Sequence, residues 1–497
     1  MVMTRDSLTP ALGAVALACI TSIGCGGPPP AETPAGKAGS GPVAVVSAAA
    51  ENTFNVALEA FNGHDKAGDW SDAVCAQVAK SFEAAASQQS GRRLPAATYN
   101  AGLAYQRCGD DKDAKAKFTQ ALTEDAKNSY ARSQLALYQF KTDNNEDAAI
   151  NALQQAVLDA QFQNVPALTD LAMFQMQRDS ATGGTGCKDD FDCAKQNLQR
   201  SLAIDDGYMP AFNQLALLYF QAAKKRAGVV AATRKGRAMA TNAAIRKRAD
   251  VQQLELASLV CSQAVRKNPN YAPIHNTAGL ILNELGQING AVAEFATAAK
   301  LDPKFFEAQM NYAAVNLSFR GFQQAQGAYQ KALEMRPNDY DAHLGLALAL
   351  RGQIDTNGTT YDQQVAAVQS ELDACKKLDE ARPDVYYNEG ILTQEYKAKS
   401  GGGNPATIAA LNAAKAIFQK FIDRASGKPE YDGAVKRSKE RMEDIDGTIS
   451  FLSTGAPPEP TPAPAPAGAP APPGAPAPAG APAPAGAPAP APAPPGG

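Results

Sequence analysis

Eight cysteines and three histidines are the residues of this 497-residue chain whose spacing bears most directly on chemistry. The run Cys187-Lys188-Asp189-Asp190-Phe191-Asp192-Cys193 sets two thiols around three carboxylates. In an oxidising compartment such a pair closes a disulfide loop. Calcium is the other reading of three aspartates, but the Gly and the distal Glu of an EF-hand loop are missing, so no metal ligand set is assigned. Cys75 and Cys108 form a second candidate pair, whereas Cys261 and Cys375 fall on small apolar positions and read as free, buried thiols. His64, His275 and His343 are widely separated and read as isolated packed or surface residues, and the lone Trp70 as a packing residue. Gly183-Gly184-Thr185-Gly186-Cys187-Lys188 lacks the spacing and the preceding strand of a phosphate loop. No His-Glu-x-x-His pair and no Gly-x-Ser-x-Gly elbow occurs. The chain therefore reads as non-enzymatic, with no catalytic residue, cofactor or metal.

A second chemistry is electrostatic. Lys224, Lys225, Arg226, Arg234 and Lys235, followed by Arg237, Arg246, Lys247 and Arg248, make a basic insertion without a single acid. It reads either as the solvated faces of an elongated helical hairpin or as a contact for anionic lipid, a wall polymer or an acidic protein. A formal net charge of −3 argues against a nucleic-acid partner held by overall basicity.

The elements that must carry these residues are helical. Aromatic residues make up only 7 % of the chain, against 45 % apolar residues, which suits close-packed helices better than β-sandwiches. Pro269, Pro303 and Pro337 recur at 34 residues, as do Ala264, Ala298 and Ala332, and Ala257, Ala291 and Ala325. Cys261, Phe295 and Tyr329 keep step with them. Gly102, Tyr105, Gly109, Ala114, Phe118 and Ala121 repeat the pattern upstream. Small residues let two antiparallel helices approach, an aromatic fills the gap, and Pro falls where the chain turns. A single pair cannot bury its own apolar face, so neighbours must stack.

These residues resemble the tetratricopeptide repeat (TPR) family, most closely over 95–128, 272–305 and 306–339. Units with insertions cover 129–163, 164–208, 209–271 and 340–382, and degenerate units cover 48–90 and 383–426. The expected fold is an all-α solenoid over 48–452, with about eight or nine helical hairpins closed by a capping helix from Glu430 to Leu452. Three insertions break the period: the cysteine loop, the basic segment and a plain connection at Asp355 to Asp362.

The resemblance implies a concave partner-binding face lined by set positions of each first helix. These are Tyr99, Leu103, Gln106 and Arg107, then Asn213, Leu217 and Phe220, then Asn276, Leu280, Asn283 and Glu284. Met310, Leu317, Leu348 and Arg351 complete the set. The mixture is apolar and neutral-polar and lacks the basic and Asn constellation with which some family members clamp a C-terminal carboxylate. An extended segment or a helix laid along the groove fits better.

The two ends lie outside the array. Residues 1–24 read as an export signal, with Arg5 as its basic end and Ala11 to Ile23 as its apolar run. Ser22-Ile23-Gly24-Cys25 resembles a bacterial lipobox, which makes Cys25 the lipid-bearing residue; Cys19 is the weaker candidate. By resemblance to the usual sorting rule, Gly26 favours the outer membrane, facing the periplasm. Residues 25–47 form a linker. Residues 453–497 form a Pro/Ala/Gly tail that reads as a polyproline II spacer or as a ligand for an aromatic groove. The layout as a whole resembles the TPR lipoprotein family of the adventurous gliding-motility apparatus. That implies a non-catalytic scaffold binding envelope proteins. An assembly helper for outer-membrane or pilus machinery and a wall-binding spacer are the alternatives.

Overall fold

The computed structural model describes residues 46–454, without 90, 92, 185, 234–239 and 400–402 and without the side chains of 226–250. Cys25, the segment 1–24, nearly all of the linker 25–47 and all but the first two residues of 453–497 lie outside the described residues. So do the side chains of Arg226, Arg234, Lys235, Arg237, Arg246, Lys247 and Arg248.

Among the described residues the chain is all-α and forms the hairpin solenoid expected from its repeats. Unit 1 pairs α1 (Ala48–Ala67) with α2 (Asp72–Ser87), unit 2 pairs α3 (Pro95–Arg107) with α4 (Asp111–Glu124), and unit 3 pairs α5 (Ser129–Asp143) with α6 (Glu146–Asp159). Unit 4 is α7 (Val165–Arg178) with α8 (Asp190–Ile204), and unit 5 is α9 (Met209–Thr233) with α10 (Ala240–Lys267). Unit 6 is α11 (Ala272–Glu284) with α12 (Ile288–Leu301), and unit 7 is α13 (Phe306–Ser318) with α14 (Phe322–Met335). Unit 8 is α15 (Tyr340–Arg351) with α16 (Tyr361–Leu378), and unit 9 is α17 (Asp384–Glu395) with α18 (Gly403–Ala425). A capping helix α19 (Asp432–Thr454) follows.

Local chemistry sets these boundaries. Asn128, Asn145, Asn164, Asp189 and Asp339 each cap a helix by accepting the amide three residues on, which satisfies a donor the helix cannot. Five inter-unit turns share one device. Asp125, Asp205, Asn268, Asp302 and Asp379 accept the amide two residues on, a short loop closure that leaves the next first helix free to start. The loop between α15 and α16 ends two residues earlier than expected, because Tyr361 and Asp362 already belong to α16.

In units 2, 6 and 9 a glycine of the first helix faces an aromatic ring of the second. A Cβ on Gly102 would lie 2.7 Å from the Phe118 ring, and one on Gly279 would lie 2.6 Å from the Phe295 ring; only glycine lets those rings seat. In unit 5 the aromatic slot is taken by buried Cys261. The core is accordingly a series of local clusters shared between neighbours rather than one central core. Phe54, Phe82, Tyr99 and Phe118 bind the first units together. Ala216, Ala257, Ile281 and Phe295 join units 5 and 6, and Val368, Leu372 and Phe421 join units 8 and 9. This is the energetics of a stacked array, in which each repeat touches only its neighbours. No helix among the described residues is long and apolar enough to cross a membrane.

Candidate partner-binding face

First helices of neighbouring units touch directly, α9 on α11, α11 on α13 and α13 on α15, so their side chains form one continuous face. Several junctions on it are stitched by buried polar side chains. Gln106 Nε2 donates to Gln134 Oε1 at 3.0 Å, and Thr277 Oγ1 donates to Asn213 Oδ1 at 2.6 Å. Asn311 Nδ2 donates to Asn276 Oδ1 at 2.8 Å, and Arg351 Nη1 donates to Asn388 Oδ1 at 3.0 Å. Each rung fixes the register of one first helix on the next, because breaking it would leave a buried polar group unpaired.

The residues expected to line a groove thus fall into three groups. Tyr99 and Leu103 are fully buried, and Leu280, Met310 and Leu317 nearly so, beneath the face rather than on it. Asn213, Asn276 and Arg351 are buried in the rungs, and burial lowers the Arg351 guanidinium from its ordinary value. Gln106, Leu217, Asn283 and Leu348 remain partly open, and Glu284 is exposed. Arg107 is engaged elsewhere. Its guanidinium donates to both oxygens of Asp65 at 2.8 and 3.0 Å and lies 5.1 Å from the Phe61 ring centre, tying unit 1 to unit 2. Phe220 is buried, with the Lys224 ammonium 5.5 Å from its ring centre. Lys225 pairs with Asp179 and lies 5.1 Å from the Phe191 ring centre.

The cysteines divide in the same structural way. Cys75 is bonded to Cys108 and Cys187 to Cys193, with Cα separations of 6.4 and 5.1 Å. The first bond links α2 to the end of α3, and the second closes the loop before α8. Cys261 and Cys375 are free and buried; burial pushes each thiol up to about 12, which keeps both unreactive near neutrality. The aspartates of the cysteine loop hold the protein rather than face outward for a cation. Asp189 caps α8, and Asp192 Oδ2 accepts the Lys188 amide at 3.1 Å. Asp190 is fully buried and accepts from Arg178 Nε and Nη2 at 2.8 and 2.7 Å and from the Ser180 amide at 2.8 Å. Burial opposes its charge, yet the Arg178 fork and the Ser180 amide hold its carboxyl below the usual range.

The histidines are structural clips. His275 donates from Nδ1 to Glu294 at 2.7 Å and from Nε2 to the Pro269 carbonyl at 2.9 Å. His343 repeats this geometry with Glu371 at 2.6 Å and the Pro337 carbonyl at 2.9 Å. Trp70 packs edge-on to Phe61 at 5.2 Å between centres and donates to Asp65 at 2.8 Å.

One residue of the face was not singled out in the sequence. Asp170, on α7, stands in unit 4 where Gln134, Thr277, Asn311 and Asn388 stand in theirs, each two positions before a helix-contact Ala or Gly. It is partly open to solvent, yet protein surrounds it closely enough that burial pushes its carboxyl up to about 7. The Tyr208 phenol, just ahead of α9, is raised well above its ordinary value, first by burial and then by the nearby Asp170, Tyr271, Asp205 and Tyr130. The sequence signal was an acid in a series of amides and hydroxyls.

The described residues contain no cluster of three or more His, Cys, Asp or Glu able to hold a metal ion. Among the described residues the first helices thus make a continuous face with polar side chains at intervals along it.

The tetratricopeptide repeat family model matches residues 272–305, the whole of unit 6 and its turn. Small glutamine-rich tetratricopeptide repeat-containing protein 2 of Mycosarcoma maydis is 28 % identical over 112 residues, which cover 22 % of this chain and 32 % of that protein. The chain thus spans about a third of the length of that curated relative. Among solved structures, a thermophilic TPR protein of Thermus thermophilus is 26 % identical at a TM-score of 0.34, over 45 % of this chain and 99 % of that one. PilF of Pseudomonas aeruginosa is 16 % identical at a TM-score of 0.37, over 54 % of this chain and 95 % of that one.

Proposed function

We propose that this TPR-type solenoid is a non-catalytic scaffold of the cell envelope, tethered by lipid at Cys25, that holds partner proteins along its first-helix face. The observation that carries the reading is the face itself. The first helices of successive units abut, and buried rungs such as Asn276–Asn311 hold them in register. A surface so fixed loses little conformational entropy when it binds, which suits an extended or helical protein segment. Protein partners are what repeats of this type ordinarily bind. The envelope location, the outer-membrane placement and membership of a gliding-motility complex rest on the lipobox-like Ser22-Ile23-Gly24-Cys25 and the overall layout. A transient assembly helper and a wall-binding spacer remain the competing roles; the spacer would work through the tail and the basic insertion.

Photo-crosslinking in the native cell tests the reading. A photoreactive residue is placed at Leu217, Asn283 or Leu348 on the partly open face, and at Leu158 and Leu259, exposed outer positions on the second helices α6 and α10, as controls. The scaffold role expects one envelope protein captured from all three inner positions, at high occupancy in the finished assembly. Equal capture from the outer positions, or capture only during assembly, overturns it. Fatty-acid labelling lost in Cys25→Ala checks the tether; equal labelling of the variant rejects that site.

A further inference from the structure

The connection between α15 and α16 is longer than its neighbours. It runs from 352 to 360, where unit 6 turns within 285–287 and unit 7 within 319–321. Its middle reads Asp355-Thr356-Asn357-Gly358-Thr359, an Asn-x-Thr triplet with an acid two residues ahead of the asparagine. Such a triplet accepts N-linked sugar when it lies on an accessible loop of an exported protein. The acid supplies the further position that bacterial transferases of this kind read.

The structure meets the condition of access. Asp355, Thr356, Asn357 and Thr359 are all exposed. The foot of the loop is fixed by the Asp355 amide, which donates to Gln364 Oε1 at 2.9 Å. Asp355 Oδ1 accepts the Asn357 amide at 3.0 Å and its carbonyl accepts the Gly358 amide at 3.1 Å, which turns the backbone at the asparagine. A Cβ on Gly358 would lie 2.9 Å from Asp355 Oδ2. Neither the Asn357 side-chain amide nor the Thr359 hydroxyl has a hydrogen bond among the described residues, so both are open to an enzyme. The other Asn-x-Ser/Thr triplet of the chain, Asn316-Leu317-Ser318, lies on α13 and is closed. Asn316 Nδ2 donates to the Tyr312 carbonyl and Ser318 Oγ to the Val315 carbonyl, each at 2.7 Å, and Leu317 between them is buried. Ala314 stands there in the place of the acid.

We propose that Asn357 is the acceptor of an N-linked oligosaccharide, transferred from a polyprenyl-diphosphate carrier outside the cytoplasm. In the transfer Asn357 Nδ2 attacks the anomeric carbon of the first sugar. The nitrogen–carbon bond forms as the bond from that carbon to the diphosphate oxygen breaks; polyprenyl diphosphate leaves, and one amide proton passes to a base of the transferase. The site rests on the envelope reading above, because the carrier presents its sugar outside the cytoplasm, and it adds a covalent mark on the hairpin turn of unit 8.

The folded full chain is incubated with a purified bacterial oligosaccharyltransferase and a polyprenyl-diphosphate-linked oligosaccharide, and the tryptic peptide 352–376 is sequenced by mass spectrometry. One glycan is expected on Asn357 and none on Asn316. Asn357→Gln and Thr359→Ala should abolish the transfer, Thr359→Ser should retain it, and Asp355→Asn should lower it severalfold. The substituted residues are exposed, so the variants are expected to fold, and far-ultraviolet circular dichroism checks this. The same peptide from the native envelope should carry the glycan. No transfer to the folded chain, a glycan retained in Asn357→Gln, or deamidation as the only change at Asn357 in the envelope-bound chain overturns the site. The enzymatic reaction does not depend on where the chain resides, so a chain found outside the envelope overturns the tether and leaves the acceptor result standing. An unmodified chain that is still fatty-acid labelled overturns the acceptor alone.

Discussion

The junction between units 6 and 7 and the junction between units 3 and 4 use the same repeat positions on the same backbone, and they end in opposite states. At the first, Asn311 donates to Asn276 and both are almost wholly covered. At the second, Ser133 turns back to its own helix, and Asp170 has no hydrogen bond or ion pair among the described residues. The lesson is that a solenoid can keep its geometry while one rung is missing, because apolar clusters such as Ile150, Leu153, Leu168 and Leu171 still join those units. The polar rung then serves register more than folding.

The largest effect expected from breaking that contrast comes from Asp170→Asn. The carboxyl is pushed up to about 7 in the fold, above the unfolded range of about 3.9. The wild-type fold therefore keeps its full stability below about pH 4 and loses part of it as pH rises to about 7. The asparagine variant should escape this loss. Its advantage over wild type is expected to grow between about pH 4 and 7 and then level off, reaching on the order of 2–4 kcal/mol. Urea denaturation across that range measures it; an advantage independent of pH would contradict the unpaired state.

At the closed junction, Asn311→Ala should cost about 2 kcal/mol, since it leaves the Asn276 amide buried without its donor. Amide hydrogen exchange should locate the loss in α11 and α13, and a loss spread evenly over the array would argue against local rungs. Rebuilding the missing rung sharpens the contrast further. Ser133→Asn together with Asp170→Asn recreates the pair found at 276 and 311, and a double-mutant cycle should give a favourable coupling of about 1 kcal/mol. The smallest effect concerns the clip at His275. The hydrogen bond to Glu294 comes first in raising this imidazole, burial opposes it, and the Pro269 carbonyl adds to the rise. Its stabilisation is thus full below about pH 6.5 and fades as pH rises through the folded value. Glu294→Gln should cost under about 1 kcal/mol at pH 6 and less at pH 9.

Much of the fold was legible in the sequence, because period and small-residue positions obey local rules. Pro269, Pro303 and Pro337 mark the turns, and Gly102 and Gly279 sit where an aromatic ring of the second helix must seat. The face was legible only as a set of positions. Which of those side chains end beneath it, as Tyr99 does, and which stay partly open, as Asn283 does, depends on how tightly neighbouring first helices pack. Repeat numbering carries no information on that.

The sequence by itself determined the helical hairpins, their order and the small-against-aromatic pattern, because these are set by residues within one period of each other. Only the tertiary structure decided which polar groups found partners. Asn276 meets Asn311 and Arg178 meets Asp190, while Asp170 has no hydrogen bond or ion pair among the described residues. Partnership depends on distances between side chains on separate helices, and the stacking of the units fixes those distances only when the whole array is built.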